Sequence, residues 1–222
     1  VQRDPKILHR NLSALVGTAT VPVAYLVGRE LIGRRVGLVV AALVAVSPIL
    51  IWYSQDARAY ALLVLFDTAA LLFFLRARRS GSPRDLLWWA VLSALALATH
   101  YFAAFPLAVE AVWLLAVARP LRPVLAAVAG VALAGLALAP IALHQAAGKS
   151  NAWISSFRLT RRLHDAGIAA FVGENGLLKH ALVPIALFAA AVALLLWRGG
   201  PGERSGARVA LAIGGGAALI PI

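Results

Sequence analysis

Apolar runs of span length alternate with short polar breaks along the whole chain, as in "NLSALVGTATVPVAYLVG" followed by "RELIGRR" and then "VGLVVAALVAVSPIL". A helix crosses the hydrocarbon core with about 20 apolar residues, in a range near 17 to 25. On that scale the runs at 12–28, 36–52, 58–75, 86–99, 101–118, 123–143, 181–197 and 207–222 predict about eight spans. The stretch 86–118 is too long for one upright span, and "THYF" divides it, because a His and a Tyr interrupt the apolar pattern there. The predicted fold is an all-α polytopic integral membrane protein forming a single transmembrane domain over 1–222. Residues 144–180 make a long polar loop in which "RLTRRLHDAGIAAF" has the spacing of a surface-lying amphipathic helix.

Composition agrees. Hydrophobic residues are 62% and charged residues 14% of the 222, against about half and about a quarter in globular domains. With no Cys, disulfides and thiolate metal sites are excluded. There is no Met, so residue 1 is not an initiator, and the sequence is expected to be a segment of a longer protein. Arg outnumbers Lys 18 to 3, which fits a bacterial, GC-rich source.

The net charge of +12 alone would allow nucleic acid as a partner. Nucleic-acid binders, however, collect their cations on one solvated face. Here they fall in breaks between apolar runs: 29–35, 76–84, 119–122 and 198–208. That is the pattern of cytoplasmic loops under the positive-inside rule, so the partner is membrane lipid and not nucleic acid. With the split at "THYF" all four clusters share one face, and 53–60, 99–101 and 144–180 lie on the other, outer face.

Polar chemistry concentrates at "IWYSQDARAY" (51–60), where Tyr53, Ser54, Gln55, Asp56, Arg58 and Tyr60 sit between two spans. Charges at the membrane edge are costly unless paired or facing water, which marks them as site candidates. The plainer alternative is that Ser54 to Asp56 cap the next helix and Arg58 snorkels.

The string "SPILIWYSQDARAYAL", preceded by "TVPVAYLVGRELIGRRVG" and followed by "THYF", resembles the bacterial GT-C membrane glycosyltransferases of the protein-mannosyltransferase and aminoarabinose-transferase type, over about residues 11–118. The resemblance implies transfer of a sugar from a polyprenyl-phosphate donor to a lipid, protein or polysaccharide acceptor at the outer face of a bacterial plasma membrane. It implies Asp56 as the catalytic carboxylate present, orienting the acceptor, orienting Arg58 or helping to hold a divalent cation; no cofactor is otherwise assigned. Arg58 offers phosphate a planar fork, and Tyr53, Gln55, Tyr60, His100 and Tyr101 complete a substrate pocket. The family's principal carboxylate lies in an outer loop upstream of everything matched here, and Asp4 does not match that motif.

Asp67 and Glu110 fall within predicted spans, an expensive position that points to interior pairing. His144, His164 and His180 lack metal-ligand spacing, and Gly28, Gly33 and Gly37 read as turn and packing residues because no strand precedes them. The rival function is a transporter or flippase of lipid-linked saccharides, which would place broken helices and a charged site at the midplane.

Overall fold

The structure, a computed structural model, describes residues 5–55, 59–147 and 196–219, with five positions between 186 and 194. Among the described residues every regular element is helical. In order these are α1 (Pro5–Leu31), α2 (Arg34–Ala45), α3 (Pro48–Gln55), α4 (Tyr60–Ser80), α5 (Pro83–Thr99), a 3-10 turn (Tyr101–Ala103), α6 (Ala104–Val117), α7 (Leu121–Ala147) and α8 (Pro201–Leu219). The predicted all-α membrane architecture is the one found. The loop and interfacial helix expected at 144–180 lie outside the described residues, except that 144–147 finish α7.

Among the described residues three helices are long and apolar enough to cross a membrane: Asn11–Leu31, Tyr60–Ser80 and Leu121–Ile141. The run expected as one span at 36–52 is instead two helices, α2 and α3, bent by 55°, and counts as a fourth crossing only if the bent pair is taken as one span. Pro48 explains the break. Its ring blocks a preceding helical turn, so α2 stops at Ala45 and Pro48 opens α3, where the missing N–H costs nothing. The division of 86–118 falls where "THYF" placed it, between α5, of 17 residues, and the apolar helix Tyr101–Val117.

Four breaks gather at one end of the bundle. Glu30 at the foot of α1 meets Arg76 Nε at 3.4 Å and Arg79 Nη1 at 3.6 Å on α4. Gly81 closes α4 in the left-handed region (φ 62°), and a Cβ there would collide with the carbonyl oxygen of Arg119, so the α4–α5 and α6–α7 turns are pressed together. Gly206 on α8 packs against the Leu31 carbonyl oxygen, 2.5 Å from where a Cβ would stand. The clusters 29–35, 76–84, 119–122 and 198–208 therefore share one end, as the charge pattern required. Gly28 and Gly37 make the α1–α2 hairpin possible: a Cβ on Gly28 would stand 2.9 Å from Gly37 Cα, and one on Gly37 2.7 Å from Tyr25 O.

Between the ends, Phe74, Leu75, Trp89, Leu114, Val124 and Val209 are fully buried and draw α4, α5, α6, α7 and α8 together. Leu133, Leu136 and Leu143 on α7 are largely exposed. In water this would be a liability; in lipid it is the surface such a protein must present.

Candidate functional site

At the end opposite the basic clusters, α3 and the start of α4 carry Trp52, Tyr53 and Tyr60 to the turn after α5. Their rings form a continuous row. Trp52 and Tyr53 lie 5.3 Å apart between centroids, Tyr53 and Tyr60 4.9 Å, Tyr60 and His100 5.7 Å, and His100 and Tyr101 4.7 Å. Such spacings are those of offset and tilted aromatic pairs. Residues 40 positions apart in sequence, Tyr60 and His100, are thus stacked at 30°. Gln55 ends α3 and is exposed, while Asp56 and Arg58 lie outside the described residues.

His100 has a defined local role. In an extended conformation it caps the 3-10 turn, its Nδ1 accepting the Phe102 backbone N–H at 3.2 Å. An accepting Nδ1 puts the proton of the neutral ring on Nε2, which is left as a donor. Partial burial pushes its pKa below the ordinary histidine value, so the ring favours this neutral form.

Beneath the aromatic row lies a cavity of about 320 Å³ whose walls include Gly17, Thr18 and Thr20 of α1, Tyr53 and Ser54 of α3, and Ala61 of α4. Its hydroxyls are oriented by their own helices. Thr18 Oγ1 donates to Ala14 O at 2.8 Å, Thr20 Oγ1 to Val16 O at 3.1 Å and Ser54 Oγ to Ile51 O at 2.7 Å, which leaves oxygen lone pairs available as acceptors. Helix α3 can approach α1 this closely only because position 17 is glycine: a Cβ there would stand 2.7 Å from Ser54 Cβ. Gly17, Thr18 and Thr20 were not singled out as site residues from the sequence. The "TVP" element that entered the resemblance contains Thr20 and was the available signal.

The two acidic residues in the spans belong to a different part of the bundle. Glu110, 1% exposed, accepts the Trp89 Nε1 hydrogen at 2.8 Å across the α5–α6 contact. Its partner is an indole and not a second charge. Asp67 Oδ1 and Ser93 Oγ are buried with no hydrogen-bond partner. Among the described residues no group of three or more His, Asp or Glu side chains is placed to hold a metal.

Helices of membrane-crossing length, with cations gathered at one end and hydroxyl and aromatic groups at the other, define an integral membrane protein with a polar site at the bilayer edge. The family model for dolichyl-phosphate-mannose-protein mannosyltransferases matches residues 4–144, well over half of the 222, and the chain belongs to that family. It is a membrane glycosyltransferase of the GT-C type. No curated protein and no solved structure matches the chain.

Proposed function

We propose that the protein transfers a sugar from a polyprenyl-phosphate donor to an acceptor on the side of the membrane opposite the basic clusters. The observation that carries this reading is the row of Tyr53, Tyr60, His100 and Tyr101, brought together from α3, α4 and the turn after α5, with Tyr53 also lining a cavity whose wall includes the hydroxyls of Thr18, Thr20 and Ser54. In the transfer, an acceptor oxygen bonds to the anomeric carbon as the carbon–oxygen bond to phosphate breaks. The electron pair leaves with the lipid phosphate. The developing charge needs preorganised donors, for which Arg58 offers a planar fork and His100 its Nε2–H. The acceptor's proton needs a nearby base, and Asp56 is the carboxylate assigned to hold the acceptor in line. Thr18, Thr20 and Ser54 accept sugar hydroxyls, and the Tyr53–Tyr60 pair gives the sugar an apolar wall. Acceptor class and sugar follow from whichever substrates the assay accepts.

The second reading is a carrier of lipid-linked saccharides, favoured by the buried, unpartnered Asp67 Oδ1 within α4. The discriminating experiment incubates the purified protein in sealed vesicles with polyprenyl-phosphate-mannose or a nucleotide-mannose, together with peptide and lipid acceptors. Label moving into acceptor from the polyprenyl donor, and not from the nucleotide, supports transfer. Label crossing the bilayer while still attached to its lipid supports the carrier.

A further inference from the structure

Three concavities at the basic end meet at one side chain, Trp113. The first is an apolar groove of about 510 Å³ along α6, formed by Ala108, Val109, Val112, Trp113, Ala116 and Val117. The other two open beside it. One is edged by Arg78 and Arg79 of α4 with Ser205 of α8, the other by Arg204 and Arg208 of α8. Trp113 is held in place edge-on against the buried Phe74, with ring centroids 6.5 Å apart.

The charges at this mouth are not balanced. Arg79 reaches Glu30, and Arg204 donates to the Gly199 and Trp197 carbonyls. Glu203 Oε2 is engaged by Gly200 N at 2.8 Å. Among the described residues Arg78 and Arg208 have no carboxylate partner, and Arg78 Nε is buried with no hydrogen-bond partner at all. A buried, unsatisfied guanidinium nitrogen beside an apolar channel is a costly arrangement for a free protein. It is the arrangement that a phosphate group with attached hydrocarbon would satisfy.

Length selects the kind of lipid. From Ala108 to Val117 the groove runs for nine helical steps, about 14 Å, close to half of the roughly 30 Å hydrocarbon core. One acyl chain of one leaflet has that reach. We propose that this groove and its basic mouth bind an anionic glycerophospholipid of the leaflet on the basic-cluster side, its phosphate at Arg78 and Arg208 and an acyl chain along Val112 and Trp113. The site lies at the opposite end of the bundle from the aromatic row and is independent of the transfer chemistry proposed there.

The test is native mass spectrometry of the intact protein released from nanodiscs containing equal amounts of phosphatidylglycerol and phosphatidylcholine. The wild type should retain phosphatidylglycerol preferentially. Each arginine near a lipid surface attracts an anionic lipid enough to change retention about fivefold, so Arg78→Gln with Arg208→Gln should reduce the preference by roughly twenty-five-fold. Arg78→Lys in the Arg208 wild-type background should keep most of it. Val112→Trp, on a side chain 67% exposed to the outside of the bundle, should plug the groove and lower retention with the arginines intact. Equal retention of the two lipids by the wild type overturns the proposal. So does an undiminished preference in the double arginine variant, or full retention by Val112→Trp with an unchanged unfolding temperature.

Discussion

Gly17→Ala is the smallest change that should disable the candidate site without touching a chemical group. The new Cβ would lie 2.7 Å from Ser54 Cβ, whereas carbon atoms rest at about 3.5 to 4.0 Å. Helix α3 must therefore retreat by about 1 Å, carrying Tyr53 and Gln55 with it. Overpacking of this size costs about 1 to 3 kcal/mol of stability, which a helical membrane bundle survives. A 1 Å misplacement of positioning groups costs roughly a hundredfold in rate. Sugar transfer in reconstituted vesicles should accordingly fall about a hundredfold in kcat, with the far-ultraviolet helical signal unchanged. Ser54→Gly in the same chain removes the clashing atom and leaves Ser54 Cα 3.7 Å away, ordinary contact, so the double variant should recover to the level of Ser54→Gly alone. Gly130→Ala, where a Cβ meets nothing within 4 Å, serves as the control. Full activity in Gly17→Ala, or no recovery in the double variant, would refute the reasoning that the α1–α3 contact sets the site.

Three further outcomes follow from the same geometry. A double-mutant cycle on Trp89→Phe and Glu110→Leu, read by unfolding in mixed detergent, should give a coupling of about 0.6 kcal/mol and no more than about 1.7, the range for hydrogen bonds within helical membrane proteins; zero coupling would deny the Trp89–Glu110 bond. His100 has its pKa depressed by burial, so on acidification through the ordinary histidine value the unfolded chain takes up its proton before the folded one. Its contribution is therefore complete above about pH 6.5 and is lost as pH falls below it; His100→Gln should flatten that slope of unfolding midpoint against pH between 5 and 8. Single Cys residues at Ser80 and Tyr101 should label from opposite sides of sealed vesicles with an impermeant thiol reagent, and labelling of both from one side would contradict the two-ended arrangement.

Periodic and charge signals carried much of this fold to the surface of the sequence. The Arg clusters at 29–35 and 76–84 fall in short breaks between span-length runs, so the shared end at which Glu30 meets Arg76 and Arg79 was legible in the sequence. The Thr99–Tyr101 division was legible too, because His100 is out of place inside an apolar run. The α2–α3 break had a printed cause in Pro48, but total hydropathy across 36–52 masked it. Long-range contacts left no local trace. Nothing near Gly17 announces Ser54 as its neighbour, and a spacing of 21 residues does not announce an indole as the partner of Glu110. Tyr53, Tyr60, His100 and Tyr101 were chosen from the sequence and stand in one row, whereas the cavity lined by Thr18 and Thr20 emerged from packing, with Thr20 in "TVP" the one signal of it in the sequence.

The central claim is that the 53–60 segment holds a departing lipid phosphate, and Arg58 tests it most directly. Mannose transfer from polyprenyl-phosphate-mannose would be timed for the wild type, Arg58→Lys and Arg58→Ala in vesicles of matched protein content. Loss of one preorganised donor to a developing charge costs about a hundredfold to a thousandfold in rate, so Ala should fall by that factor and Lys, keeping charge without the fork, should fall between. Near-wild-type turnover in Arg58→Ala would contradict the account and leave a snorkelling arginine beside a capped helix.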